Sequence, residues 1–195
     1  IKTGDKLVVD GDSGEIIIDA DKKSLKSFRD RQEQFLEIQA EAEAISHQPA
    51  ITTDGHQVEV VANIGSVDDV QPALLSGAEG VGLLRSEFLY LERSSLPTEE
   101  EQYQSYKTIG DAFGDHPVIL RSLDVGGDKD IPYIDMPPET NPFLGVRAIR
   151  LCLSRPDIFN PQLRAALRAG YGNNLKLMFP MVATVEDLIQ VREVL

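Results

Sequence analysis

Val81-Gly82-Leu83-Leu84-Arg85 and Val118-Ile119-Leu120-Arg121 are two short apolar runs, and each ends on a guanidinium. Apolar runs of this length read as strands covered on both faces, the kind that parallel sheets contain. If the two strands run parallel, both arginines emerge at one edge of the sheet. Two Arg forks at one rim suit a small, dense anion such as a carboxylate or a phosphate. The plain alternative is a pair of strand-end cations bound to local carboxylates.

Working outward, Val58 to Ala62 and Leu175 to Phe179 read as further strands of the same sheet. Helix starts alternate with them. Ser66 with Asp69, Thr98 with Glu101 and Thr184 with Asp187 have capping-box spacing. Asn141-Pro142 and Asn160-Pro161 each set a cap residue before a proline suited to a first helical position. Gly77 and Gly170 are stop signals. Such alternation implies a parallel sheet with right-handed crossovers. Gly80-Val81-Gly82 lacks the third glycine of a dinucleotide loop, which ranks a doubly wound sheet below a (β/α) barrel. A full barrel takes eight units and about 250 residues. Four units follow residue 50, so the expectation for residues 50–195 is the first half of a (β/α)8 TIM-type barrel.

Residues 1–20 read as a hairpin, with Lys6–Asp10 and Glu15–Asp19 joined across Gly11-Asp12-Ser13-Gly14. Residues 21–49 read as a linker helix. Its Leu25, Phe28, Phe35 and Leu36 fall on one stripe, which predicts a buried side.

The net charge of −13 disfavours nucleic acid as a partner and makes a cationic pocket conspicuous. No apolar run is long enough to span a bilayer. The single cysteine, Cys152, fits a reducing compartment and a cytoplasmic location, and its place between Leu151 and Leu153 predicts a packed thiol. The chain opens on Ile1, and Val194-Leu195 lies within a helical pattern. We expect it to be a piece of a longer protein.

In a parallel barrel the site lies at the C-terminal ends of the strands. That rule groups Asn63, Arg85, Arg121 and Met181 at one rim. Glu87 is suited to orienting Arg85 or another rim cation. Arg147 and Arg150, at i and i+3, are expected on one helix, with one facing the substrate. Lys129 is either a supporting cation or a loop salt bridge. Asp124, Asp128 and Asp130 do not have the spacing of a calcium loop. His47, His56 and His116 are expected to be structural or solvated.

Three strings carry a resemblance: GVGLLRSEFLY (Gly80 to Tyr90), RSLDVGGDK (Arg121 to Lys129) and NPFLGVR (Asn141 to Arg147). In this order they resemble the PEP-utilising enzymes, and within that family its Enzyme I branch, alone or inside a multiphosphoryl transfer protein. The resemblance implies that Arg85 and Arg121 bind phosphoenolpyruvate, with Arg147 in support. It makes residues 1–20 the tail of a swivelling phosphohistidine domain. The phosphorylated histidine would lie upstream of Ile1. The Mg²⁺ ligands and a proton-donating cysteine would lie beyond Leu195, leaving no catalytic or metal-binding residue in this stretch. The implied activity is histidine autophosphorylation by phosphoenolpyruvate, then transfer to an HPr-like carrier in sugar uptake. The implied assembly is a homodimer, without nucleic acid or membrane. Two alternatives stand beside it. One is a barrel of the pyruvate phosphate dikinase or phosphoenolpyruvate synthase type. The other is a non-catalytic ligand-binding or dimerising scaffold.

Overall fold

The computed structural model describes residues 1–91, 93–126, 131–136 and 140–195, which form two compact units, Ile1–Gln48 and Pro49–Leu195. In the first, strands β1 (Leu7–Asp10) and β2 (Glu15–Ile18) pair antiparallel, Leu7 opposite Ile18 and Asp10 opposite Glu15. Helix α1 (Lys22–Ile45) follows, and the Asp21 carboxylate caps it by accepting the Ser24 N–H at 2.7 Å. No residue of α1 is buried, and Phe35 is 58% exposed. The stripe therefore does not form the buried side expected of it. Within this unit a two-stranded hairpin offers one helix too little surface to cover it. Only Phe28 is substantially covered, under the Arg31 guanidinium 4.1 Å from its ring centroid.

The second unit opens with a small antiparallel pair, β3 (Ala50–Ile51) and β4 (Gln57–Val58). Val58 is engaged there opposite Ala50. The first parallel strand is consequently β5 (Ala62–Ile64), a few residues later than the sequence reading placed it. Strands β6 (Val81–Arg85), β7 (Val118–Arg121) and β8 (Leu175–Met178) follow. The sheet is parallel in the order β5-β6-β7-β8, so neighbours in sequence are neighbours in space. The mixed α/β architecture with a parallel sheet matches the expectation.

Helices α2 (Val70–Leu75), α3 (Glu99–Phe113), α4 (Ile149–Ser154), α5 (Pro156–Gly170) and α6 (Val185–Val194) connect and flank the strands. Capping boxes form at all three anticipated places, Ser66, Thr98 and Thr184. The start of α5 differs from the reading. The helix begins at Pro156, and Pro161 lies inside it. An internal proline costs a helix bond. Here the apolar stripe runs through it: Ile158, Phe159, Leu163, Ala166 and Ala169 are all buried. Burying one large apolar side chain contributes about 1.5–3 kcal/mol, so the packed face outweighs the proline. Residues 142–144 form a 3-10 turn rather than the first turn of a longer helix.

One core cluster joins β6 and β7 to Tyr106, Ile109 and Phe113 of α3 and to Ala165 and Ala169 of α5. A second gathers Leu123, Val125, Ile149, Cys152, Phe159 and Leu163 just past the strand ends. Among the described residues no helix is long and apolar enough to cross a membrane.

Candidate anion-binding site at the strand ends

Arg85 and Arg121 are register partners at the last positions of adjacent parallel strands. Met178 of β8 is the register partner of Arg121 on its other side. Both guanidiniums therefore start from the C-terminal edge of the sheet, where a parallel architecture puts its ligand sites.

Their surroundings differ. Arg121 is held on both sides. Its Nη2 donates to Glu87 Oε1 at 2.5 Å and its Nη1 lies 3.0 Å from Asp124 Oδ2. Glu87, only 1% exposed, sits on the single 3-10 turn Ser86–Leu89 that follows β6. Asp124 passes the chain of charges on, because its Oδ1 accepts from Arg147 Nη2 at 2.9 Å. Glu87, Arg121, Asp124 and Arg147 thus form one alternating row of buried or nearly buried charges. Charge-assisted bonds of this kind are short and directional, so the row fixes where the guanidiniums point.

Arg85 has no ion pair among the described residues. Its guanidinium carbon lies 5.0 Å from the centroid of the Phe88 ring, and its Nε is buried without a hydrogen-bond partner. The Nε of Arg121 and the hydroxyl of Ser122 are likewise buried and unbonded. Buried donors are nearly always satisfied by protein groups or ordered water, so these three mark positions where a water or a ligand group bonds. The Asp69 carboxyl is held below its usual range, first by the Gly65 N–H and then by Ser66, with the Arg85 charge adding to the effect. Gly65 is needed where it is: a Cβ there would stand 2.5 Å from the Phe88 ring.

The structure brings Arg85, Arg121 and Arg147 into one neighbourhood, but Arg147 by a different route from that expected. It does not share a helix with Arg150. It precedes α4, and Ala148 after it has φ 49°, a left-handed conformation that L-residues avoid. The Ala148 N–H donates to Val125 O at 3.1 Å. Gly126, at φ 121°, lies so near that a Cβ on it would stand 2.5 Å from Arg147 Cβ. A tight crossing of two loops, not helix periodicity, delivers Arg147. Arg150 is engaged by the backbone instead. Its Nη1 donates to Leu144 O and Gly145 O, closing the turn before Arg147.

Glu87 pairs with Arg121 rather than Arg85. Asn63 is exposed on β5, and Met181, at φ 64°, is partly exposed after β8. Lys129, Asp128 and Asp130 lie outside the described residues. The three histidines are exposed. Cys152 is buried, and burial pushes its thiol up to about 12. Among the described residues no group of three His, Cys, Asp or Glu side chains is placed to hold a metal ion.

The sequence reading passed over a buried polar cluster behind the rim. Gln162 of α5 is fully buried. Its Oε1 accepts the Leu123 N–H at 2.9 Å, and its Nε2 donates to Ser86 Oγ at 3.1 Å and to the Tyr106 hydroxyl at 3.3 Å. Tyr106 and Tyr90 in turn donate to Gln102 Oε1. The available signal was a glutamine inside the apolar stripe of α5, where a hydrocarbon would be expected.

The family model described as the PEP-binding domain of PEP-utilising enzymes matches residues 39–195. Phosphoenolpyruvate-protein phosphotransferases from Bacillus sp. (strain S) and Geobacillus stearothermophilus are each 48% identical to this chain over 195 residues. The protein of that name from Bacillus subtilis (strain 168) is 47% identical. Each match covers all of this chain and 34% of the relative, so the chain spans about a third of the length of these relatives. The resemblance carried by the three strings agrees with these matches.

Proposed function

The chain belongs to the PEP-utilising enzymes, in the region of their PEP-binding domain, and from that premise we propose that it carries the anion-binding part of a phosphoenolpyruvate site. The protein containing it would be a phosphoenolpyruvate-protein phosphotransferase. It would phosphorylate its own histidine from phosphoenolpyruvate and pass the group to an HPr-like carrier in sugar uptake. It would act in the cytoplasm as a homodimer.

The observation that carries the substrate reading is the register pairing of Arg85 with Arg121, which starts both guanidiniums from the C-terminal edge of the sheet. Arg85, free of ion pairs among the described residues, is suited to take a phosphate or carboxylate oxygen directly. Arg121, locked between Glu87 and Asp124, keeps its geometry while a ligand binds to its remaining N–H groups. Arg147 extends the cationic row. Phosphoryl transfer asks mainly for positioning and charge neutralisation, which permanently protonated guanidiniums supply. Mg²⁺ would further neutralise the phosphate. By the resemblance its protein ligands would come from other positions of the full-length protein.

The sequential order of four parallel strands, with no reversal, supports the first half of a (β/α)8 barrel in residues 50–195. By the same resemblance residues 1–20 would be the tail of the phosphohistidine domain and residues 21–49 its linker helix. The relatives' shared name over the full chain favours this branch over the dikinase and synthase types.

The test is to incubate the full-length protein with radiolabelled phosphoenolpyruvate and Mg²⁺, without nucleotide. Acid-labile, base-stable label on the protein, transferable to an HPr-like carrier and lost in Arg85→Ala, is the expected result. Labelling that requires a nucleotide would favour the dikinase and synthase reading. Labelling indifferent to both arginines would overturn the site assignment.

A further inference from the structure

We propose that Gln162 is a positioning residue for the arginine rim: its one buried amide sets the spacing between the segment carrying Arg85 and Glu87 and the segment carrying Arg121 and Asp124. This rests on the reading of the rim as the phosphoenolpyruvate site.

Pairing between these two strands ends at Arg85 opposite Arg121, and on the far side β8 holds the Arg121 segment one residue further, the Ser122 N–H donating to Met178 O at 2.9 Å. Beyond the register pair the chains diverge, one into the turn Ser86–Leu89 and the other into the irregular stretch after Arg121. Both carboxylates that orient Arg121 lie in those diverging segments. Gln162 reaches each of them. Its acceptor oxygen takes the N–H of Leu123, the residue before Asp124, and its NH₂ donates to the hydroxyl of Ser86, the residue before Glu87. A rigid planar amide therefore holds both anchors of the Arg121 fork at once.

The arrangement is also fixed from behind. The second contact of the Gln162 NH₂ is the Tyr106 hydroxyl, which donates to Gln102 Oε1 at 3.2 Å. Gln102 also accepts from the Tyr90 hydroxyl at 3.1 Å and donates to Pro97 O at 3.3 Å. Gln162, Gln102 and Tyr106 are each at most 1% exposed. A satisfied buried network of this kind specifies one arrangement and resists alternatives. A hydrocarbon of equal size would fill the same space in α5 but leave the Leu123 N–H unpaired, freeing that segment to move.

The experiment compares Gln162→Met, Arg121→Ala and Leu163→Ala in the full-length protein, reading the phosphoenolpyruvate dissociation constant, kcat, KM and Tm. Leu163→Ala, a core truncation on the same helix, serves as the control for lost stability alone. Gln162→Met is expected to weaken phosphoenolpyruvate about tenfold, equivalent to ~1.4 kcal/mol, and to broaden the Arg121 guanidinium resonances. Leu163→Ala, at a similar drop in Tm, should keep wild-type affinity. Wild-type affinity in Gln162→Met beside weakened binding in Arg121→Ala would overturn the inference and leave the substrate reading intact. Unchanged affinity in Arg121→Ala would instead sink the substrate reading. Should Gln162→Met fail to fold, Ser86→Ala is read in its place. It keeps the Gln162 bond to Leu123 but removes the hydroxyl through which the amide holds the segment carrying Glu87. Several-fold weaker binding is expected from it, and wild-type binding would refute the proposal.

Discussion

Arg85 and Arg121 face each other in register at the ends of adjacent strands, yet one is locked between two carboxylates while the other has no ion pair among the described residues. Their neighbours in sequence are the cause. The turn after β6 sends Glu87 across to the Arg121 guanidinium, and Asp124 reaches it from its own chain three residues on. Arg85 is left with an aromatic face, which holds a cation without neutralising it. The rim therefore combines a preset fork with a charge still open to a ligand.

That asymmetry predicts different outcomes for the two alanine variants. Arg85→Ala should change stability by about 1 kcal/mol, since it loses a half-buried cation–π contact and the charge that acts on Asp69, but no ion pair. It should weaken phosphoenolpyruvate at least tenfold, because a hydrogen bond to a charged group is worth roughly 1.5–3 kcal/mol. Arg121→Ala should also lower stability by roughly 3 kcal/mol, since it takes a cation from between two buried carboxylates. Lysine at position 85 should recover only part of the affinity, lacking the planar fork. Thermal melts and ligand titrations on the full-length protein separate the cases. Equal Tm losses in the two alanine variants would contradict the asymmetry.

Gly126→Ala should disturb Arg147 without touching it chemically. The new Cβ would fall 2.5 Å from Arg147 Cβ at a backbone φ of 121°. Strain of that kind costs roughly 1–3 kcal/mol, and the clash pushes the Gly126 backbone and Arg147 apart, which loosens the Arg147 bond to Asp124. The expected result is a lower Tm together with weaker phosphoenolpyruvate binding. Wild-type affinity at an unchanged Tm would show that the two loops do not constrain each other.

Much of this was legible in the chain. Apolar runs gave β6 and β7 with their terminal arginines, and capping boxes gave three helix starts, because both signals are local. What stayed hidden depends on tertiary contact. The choice of Glu87 for Arg121 over Arg85 is a matter of which turn crosses which strand. Arg147 and Arg150 have helical spacing, but the contact of Val125 with Ala148 breaks the helix between them. Pro161 read as a helix start because a lone Asn-Pro pair carries no information about the packed stripe around it. The Asp54-Gly55 turn dipeptide marks the hairpin that Val58 joins, but nothing local says that its strand stops at Val58 and that the parallel array begins only at Ala62.

Cys152 should be silent toward thiol reagents until the second unit unfolds. It is fully buried, its Sγ lies 3.6 Å from Leu123 O, and burial first, with the nearby Asp124 charge, raises its thiol to about 12. The thiolate is the reactive form, so at neutral pH both access and ionisation oppose reaction. Labelling with a chromogenic disulfide should follow the unfolding transition in denaturant. Rapid labelling of Cys152 in the native protein, located by peptide mapping, would show that this part of the core opens readily.

The acid limb of stability should depend on Glu101. Its carboxylate accepts the Thr98 N–H and hydroxyl at the start of α3 and pairs with Arg93. These contacts, the Thr98 backbone bond foremost, lower it to about 2 from an ordinary 4.5. A carboxyl held lower in the folded than in the unfolded chain favours folding above its unfolded value. That contribution is lost as pH falls from about 4.5 toward 2, because the unfolded state takes up the proton first. Glu101→Gln keeps an acceptor for the Thr98 N–H but cannot titrate. Its Tm should be lower than wild type at pH 6, and the gap should close progressively below pH 4.5. Other capped carboxylates with lowered values, Asp69 and Asp187 among them, titrate in both proteins and cancel in the comparison. A gap that stayed constant from pH 6 to pH 2.5 would mean that Glu101 acts through its shape alone and that its charge contributes nothing to the helix start.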